Sequence, residues 1–168
     1  MIDSIDLKIL NILQNNSRTS NVDIARDLEM VPSAILERIR KLEERGLITG
    51  YSASINPHEI GLGLLVFLFI RTDEKVGEIE VAKLLAKIPE VLEVHHVAGE
   101  DCYLIKLRVK DTGHLSKVMR ERFGQIHSIR STRTTIVLET IKETSRLPLF
   151  PQVDTAEKTK RPRKPRGG

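Results

Sequence analysis

Along residues 20–51 the apolar positions recur three and four apart, the spacing of a helix face rather than of a strand. Val22, Ala25 and Leu28 bury one side of a helix of barely two turns, with Ser20 as its N-cap and Asp23 as a capping-box-like partner. Residues 29–31 read as a turn. Pro32 suits the first position of a second helix, whose early N–H groups lack partners in any case, and Ile35, Ile39 and Leu42 form its buried stripe. Gly46 stands where a left-handed C-cap belongs. Ser33, Glu37, Arg40 and Glu44 point away from the stripe, so the second helix has a polar outer edge of the kind that enters a DNA major groove. The same geometry also serves as plain scaffold in small three-helix domains. Residues 47–55 (LITGYSASI), β-branched and aromatic, predict a strand directly after the helical unit.

Beyond a Pro/Gly-containing connector at 56–63 the pattern changes. LLVFLFI at 64–70 falls far short of the ~20 apolar residues of a membrane helix and reads as a buried strand. Ile79, Ala82, Leu85 and Ile88 share a face of a helix over 77–88 that Pro89 ends. Residues 91–98 and 102–109 read as a hairpin turning at Gly99-Glu100-Asp101. Leu115, Val118, Met119 and Phe123 define a helix over 112–123, and 128–142 is a long Thr/Ile/Val strand. The order β-α-β-β-α-β predicts an α+β protein. A winged-helix-like helix-turn-helix unit (1–51) is joined by a strand linker or hinge (52–63) to a ferredoxin-like domain (64–146), with a tail at 147–168. Two helices cover one face of such a sheet, and a two-fold copy is the cheapest cover for the other.

Charge refines this only at one end. Residues 1–51 hold seven basic against eight acidic side chains, so a basic footprint there must come from placement. Residues 153–168 hold six basic against two acidic, a surplus equal to the chain's net charge of +4. With two prolines and no apolar period this stretch is expected to be disordered. It reads either as an arm that tracks phosphates or as a solubilising extension. The single cysteine excludes an intrachain disulfide, and no leader or membrane-length span is evident, so a soluble cytoplasmic protein with no membrane partner is expected. His95 and His96 are adjacent, hence on opposite strand faces, and with Cys102 across the hairpin a packed histidine is expected rather than a metal ligand. No nucleophile or phosphate loop accompanies Glu100 and Asp101. Neither catalysis, metal nor cofactor is expected.

Four stretches carry a resemblance. IDSIDLKIL at the start, NNSRTSNVDIARDLEMVPSAILERIRKLEERGLITGYSASINP through the helical unit, VLEVHHVAGEDCYLIKLRV in the hairpin and STRTTIVLETIK in the last strand stand in the order of one family. Over roughly residues 2–145 the chain resembles the leucine-responsive/asparagine-regulator (Lrp/AsnC, feast/famine) transcription regulators. Two positions depart: Val31 stands where the family usually has a Ser N-cap, and Cys102 where it more often has an Asp.

The resemblance implies a regulator of transcription that binds double-stranded DNA, senses an amino acid and forms homodimers that assemble further. Its recognition helix maps onto residues 32–45, beginning at Pro32. Ser33, Glu37 and Arg40 are the base-edge candidates, Leu36 is near enough for a thymine methyl, and Arg38 and Lys41 lie on the flanks, toward phosphates. Arg18 suits either a phosphate or a brace between helices, with bracing favoured. An effector pocket is implied at the hairpin turn and last strand. There Gly99 allows close backbone approach, Glu100 or Asp101 takes an ammonium, and Thr132 and Thr134 offer hydroxyls from one strand face, with Cys102 removing a charge from that set. The competing reading makes the sheet domain a metabolite-binding or enzyme-accessory module and the helical unit its assembly device.

Overall fold

The computed structural model describes residues 2–75 and 77–150, so the basic stretch at 153–168 lies outside the described residues. Two compact units are present, one of residues 2–53 and 144–150, the other of Ser54–Glu143.

The first unit holds α1 (Ser4–Asn15), α2 (Asn21–Asp27) and α3 (Pro32–Glu44). A reciprocal capping box opens α1, Asp3 accepting from the Asp6 N–H and Asp6 from that of Asp3. Ser20 Oγ caps α2 by accepting from the Asp23 N–H at 3.1 Å. Val31 supplies no side-chain cap to α3, and Pro32 at the first position removes one of the donors that would need it. Helix α3 closes on Gly46 at φ +69°, where the Gly46 N–H reaches Glu43 O and the Leu47 N–H reaches Leu42 O, the paired bonds of a Schellman end. Ile9, Ile24, Ala25, Ile35, Ile39 and Leu42 form the core. On α2 Ala25 is buried as expected, but its buried companion is Ile24 and not Val22, which is exposed. In so short a helix one residue of phase decides which branched side chain meets α1 and α3.

The predicted strand over 47–55 is absent. Among the described residues nothing pairs with it, and an isolated strand has no ladder to hold it.

The second unit is a four-stranded antiparallel sheet in the order β2-β3-β1-β4, built from β1 (Leu64–Thr72), β2 (Val91–His96), β3 (Tyr103–Val109) and β4 (Ile129–Ile136). Helices α4 (Glu80–Leu85) and α5 (Thr112–Glu121) cover one face, and a single 3₁₀ turn follows at Phe123–Gln125. Val66, Leu68 and Ile70 of β1 and Tyr103, Ile105, Leu107 and Val109 of β3 pack against Val81, Leu85, Leu115 and Val118 of those helices. This is the ferredoxin-like arrangement that the element order predicts.

Two elements are shorter than their patterns. Helix α4 buries Val81 and Leu85 and leaves Ile79, at its N-cap, exposed. The Glu74 carboxylate accepts from the Val81 N–H at 2.8 Å and from the Tyr103 hydroxyl at 2.8 Å, supplying the cap that Ile79 cannot. Strand β4 stops at Ile136 because its partner β1 begins at Leu64, and Leu138 and Ile141 beyond it are exposed.

Candidate functional site

Helix α3 offers an outer edge of Pro32, Ser33, Leu36 and Arg40, all exposed. Leu36 keeps 57% of its surface, a large amount for an aliphatic side chain that the core does not need. Glu37 lies between two cations. It pairs with Arg40 at 3.1 Å and with Lys41 at 3.3 Å, and these bonds, Lys41's foremost, hold its carboxyl below the ordinary range. Both basic side chains stay more than half exposed. They are held loosely on the helix surface, where a stronger acceptor can take them.

Arg38 is placed differently. Its Nη1 donates to Asp3 at 2.7 Å and to Asp6 at 2.6 Å, tying α3 to the start of α1. The guanidinium's own pKa is raised by these bonds, Asp3's first, and the Asp3 carboxyl is held below its usual range by the Asp6 N–H and then by Arg38. The expected brace therefore exists, but Arg38 is its cation. Arg18 is exposed, and its guanidinium has no hydrogen-bond or ion-pair partner among the described residues.

The second cluster lies at the β2–β3 turn, where Gly99 at φ +137° takes a backbone conformation closed to most side chains. Arg71 on β1 donates to the Glu100 carbonyl and to its carboxylate, each at 3.0 Å, and Arg133 on β4 donates to Asp101 at 3.0 Å. Arg133 also lies over the Phe69 ring, 3.9 Å from its centroid. Asp101, Arg71, Arg133 and Phe69 thus converge on the sheet face that the helices leave open. Cys102 is half-buried against the core, its N–H bonded to Ile70 O at 2.8 Å.

Thr132 and Thr134 do share a face and are exposed, but they pair with Ile70 and Leu68 and so project on the helix-covered side of the edge strand. The hairpin residues and the two hydroxyls are not brought together on one face. The arginines were missed. Arg133 lies between the two threonines, so attention to one strand face conceals the residue on the other, whereas the alternation Phe67, Phe69, Arg71 along β1 is a readable signal for Arg71.

Among the described residues no three His, Cys, Asp or Glu side chains gather as a metal site, and no helix is long and apolar enough to cross a membrane. His95 bonds to Glu93 at 3.1 Å, while the His96 ring stands 5.2 Å from that of Tyr103.

Comparison with known proteins follows the same division. Residues 2–49 match the winged helix-turn-helix DNA-binding family, and residues 65–147 match the Lrp/AsnC ligand binding domain. The leucine-responsive regulatory protein of Escherichia coli K12 is 36% identical over 148 residues, 87% of this chain and 90% of that protein. A Neisseria meningitidis transcriptional regulator solved in complex with L-methionine superposes with a TM-score of 0.83 at 31% identity, covering 89% of this chain and 97% of its own. A feast or famine regulatory protein of Mycobacterium tuberculosis, complexed with L-methionine, gives 0.82 at 31% identity, covering 89% of this chain and all of its own at 100%.

Proposed function

The chain belongs to the Lrp/AsnC family of transcription regulators, and from that premise we propose how its own residues read DNA and hold an effector. It is a DNA-binding regulator of transcription that responds to an amino acid. The observation that carries the DNA contact is the outer edge of α3, where Ser33, Leu36 and Arg40 stand exposed over a helix whose opposite face is fully engaged. Pro32 and Ser33 enter the major groove first, Arg40 reads a base edge once it leaves Glu37, and Glu37 itself is placed to accept from a cytosine amine. Lys41 and Arg18 take phosphates; Arg38 fixes the angle of the reading helix instead. This is the work of a regulator rather than of an enzyme. A gel shift on DNA upstream of the protein's own coding region, repeated with each amino acid added singly, tests the assignment: no retarded species in any lane would overturn it.

For the effector we assign the hairpin end. A zwitterion fits a site that offers both signs: Arg71 and Arg133 for its carboxylate, Asp101 or Glu100 for its ammonium, Gly99 for close backbone approach and Cys102 at the floor. Thr132 and Thr134 offer hydroxyls to whatever approaches the edge strand from its other face. The L-methionine complexes of the relatives support an amino acid as ligand.

The assembling unit is a homodimer, from which larger particles are built. The open sheet face carries half-buried Phe67, Phe69 and Leu104, and its charges are already matched, Lys106 to Glu93 at 2.9 Å and Arg108 to Glu143 at 2.7 Å. Burial against a copy therefore strands no lone charge. Residues 47–55, with Tyr51 and Ile55 exposed, have the composition of a strand and lack only a partner.

A further inference from the structure

Each α-helix of the described residues but one begins under a side-chain oxygen. Asp3 caps α1, Ser20 caps α2 and Asp111 caps α5, while Glu74 reaches the first turn of α4 from outside it. Helix α3 follows Val31, whose backbone at φ −87° and ψ 143° is the extended one that a capping serine or aspartate takes, yet whose side chain has nothing to accept with. The first turn is served by the Val31 carbonyl, which takes the N–H groups of Ala34 and Ile35 at 3.0 and 3.3 Å. A valine there forgoes the capping contribution and gains little by burial. It is 61% exposed, the most open of the large apolar side chains in residues 2–53. Single exposed aliphatics are common and need no explanation. An exposed valine that also stands in place of a cap is different, because a local rule broken without a return in packing marks a functional position.

We propose that Val31 is a specificity-determining residue that reads the C5 methyl of a thymine at the leading end of α3. This contact rests on α3 being the reading helix, and it adds to that helix a residue outside its polar edge. The N-terminal residues of a reading helix are those that meet base edges. Val31 heads that end and is followed by Pro32 and Ser33, both exposed. An isopropyl group cannot bond to a phosphate, nor to any donor or acceptor of a base. The apolar group that tells one base pair from another in the major groove is the thymine methyl. Closing the valine on that methyl removes apolar area from water, an effect denied to the serine or aspartate that would cap better. The start of α3 thus exchanges helix stability for discrimination.

The test begins with duplexes that the full chain selects from a random library. In these, 2′-deoxyuridine replaces thymidine one position at a time, which removes the methyl and keeps every base-pair bond. Fluorescence anisotropy then reads wild type, Val31→Ser and Leu36→Ala. At one thymidine, loss of the methyl is expected to weaken wild type about fourfold, the effect of one buried CH₂. Val31→Ser should weaken binding to the thymidine duplex by a similar factor and show no further loss with deoxyuridine, whereas Leu36→Ala should keep the penalty at that position. The melting temperature of Val31→Ser should equal or exceed that of wild type, since the hydroxyl supplies the missing cap. A fall in melting temperature would mark Val31 as structural and overturn the inference. A deoxyuridine penalty that survives in Val31→Ser, or that is absent at every position, overturns the methyl contact, including the case in which Val31 packs on a deoxyribose and weakens all sequences alike. Failure to select any preferred sequence overturns the DNA-reading assignment itself, and is recognised before a single methyl is removed.

Discussion

Arg38 and Asp6, 32 positions apart in the chain, meet at 2.6 Å, and the bond ties α3 to the first turn of α1. Asp6 is only 8% exposed, whereas the second acceptor, Asp3, is open to solvent, so the pair grades from interior to surface. A cation that sequence position assigns to DNA is thereby spent on orientation. Its loss should be felt first as loosened geometry.

Arg38→Ala should destabilise the helical unit by about 2 kcal/mol, the range for a hydrogen bond to a charged group whose partner is left partly buried. Arg38→Lys should recover only part, since an ammonium matches two carboxylates less well than a planar fork. Because the Asp3 carboxyl titrates below its ordinary value of about 3.9 in the folded state, its contribution is present above that pH and is lost as pH falls through the lowered value. Thermal melts between neutral and acid pH check both points. A wild-type melting curve for Arg38→Ala would show that the brace carries no stability.

Arg40→Ala should cost roughly 1–3 kcal/mol on the cognate site and little on random duplex, while Lys41→Ala should weaken both about equally. Glu37→Gln removes the carboxylate that holds Arg40 and Lys41, and should tighten binding to random DNA and steepen the salt dependence. Competitive titration with the two duplexes separates these outcomes.

Both tyrosines of the chain should resist ionisation. Desolvation first, and then a neighbouring carboxylate, Glu43 for Tyr51 and Glu74 for Tyr103, push each phenol up to about 12. A phenol whose pKa is raised on folding contributes stability that is intact below the unfolded value of about 10 and is lost as pH rises toward 12. Spectrophotometric titration of the native protein should therefore show no tyrosinate step near pH 10. Glu43→Gln should lower one of the two steps.

Much of this architecture is legible along the chain because it depends on local periods. Ile35, Ile39 and Leu42 mark the buried stripe of α3, Gly46 its end, and Gly99 the hairpin, each through spacing or backbone preference that neighbours alone decide. What could not be read depends on distant partners. Residues 47–55 have strand composition without a ladder among the described residues, β4 is cut short by where β1 begins, and the brace joins Arg38 to the distant pair Asp3 and Asp6. At the effector end the hairpin could be located, but its pairing with Arg71 and Arg133 follows from strand order, which places β1 and β4 side by side.

Asp101→Ala should abolish the effect of added amino acid on DNA affinity while leaving affinity in its absence unchanged. Linkage requires the reciprocal result, that DNA alters the amino acid's affinity by the same factor. Calorimetry with L-methionine and L-leucine, with and without duplex, reads both sides. An intact response in Asp101→Ala would move the ligand away from the hairpin.

Assembly should fail when the open face is charged. Phe69→Glu places a carboxylate among Leu104, Phe67 and the facing copy, and sedimentation velocity at micromolar concentration should shift from dimer or larger to monomer. Wild-type protein that sediments only as a monomer would remove the dimer from the account.

The hold of Glu37 on Arg40 also bears on how the protein finds its site. On the base-edge role proposed for Arg40, phosphates of arbitrary sequence would have to compete with a carboxylate already 3.1 Å from the guanidinium, which would shorten each mistaken encounter. A guanine offering O6 and N7 together repays the exchange with two bonds in one plane. Across a chromosome of millions of wrong positions, occupancy of the right one is set by the ratio between such encounters and not by the strength of the best. On that role, a helix that restrains its own cation would shorten residence on the wrong sequence, and so quicken the search.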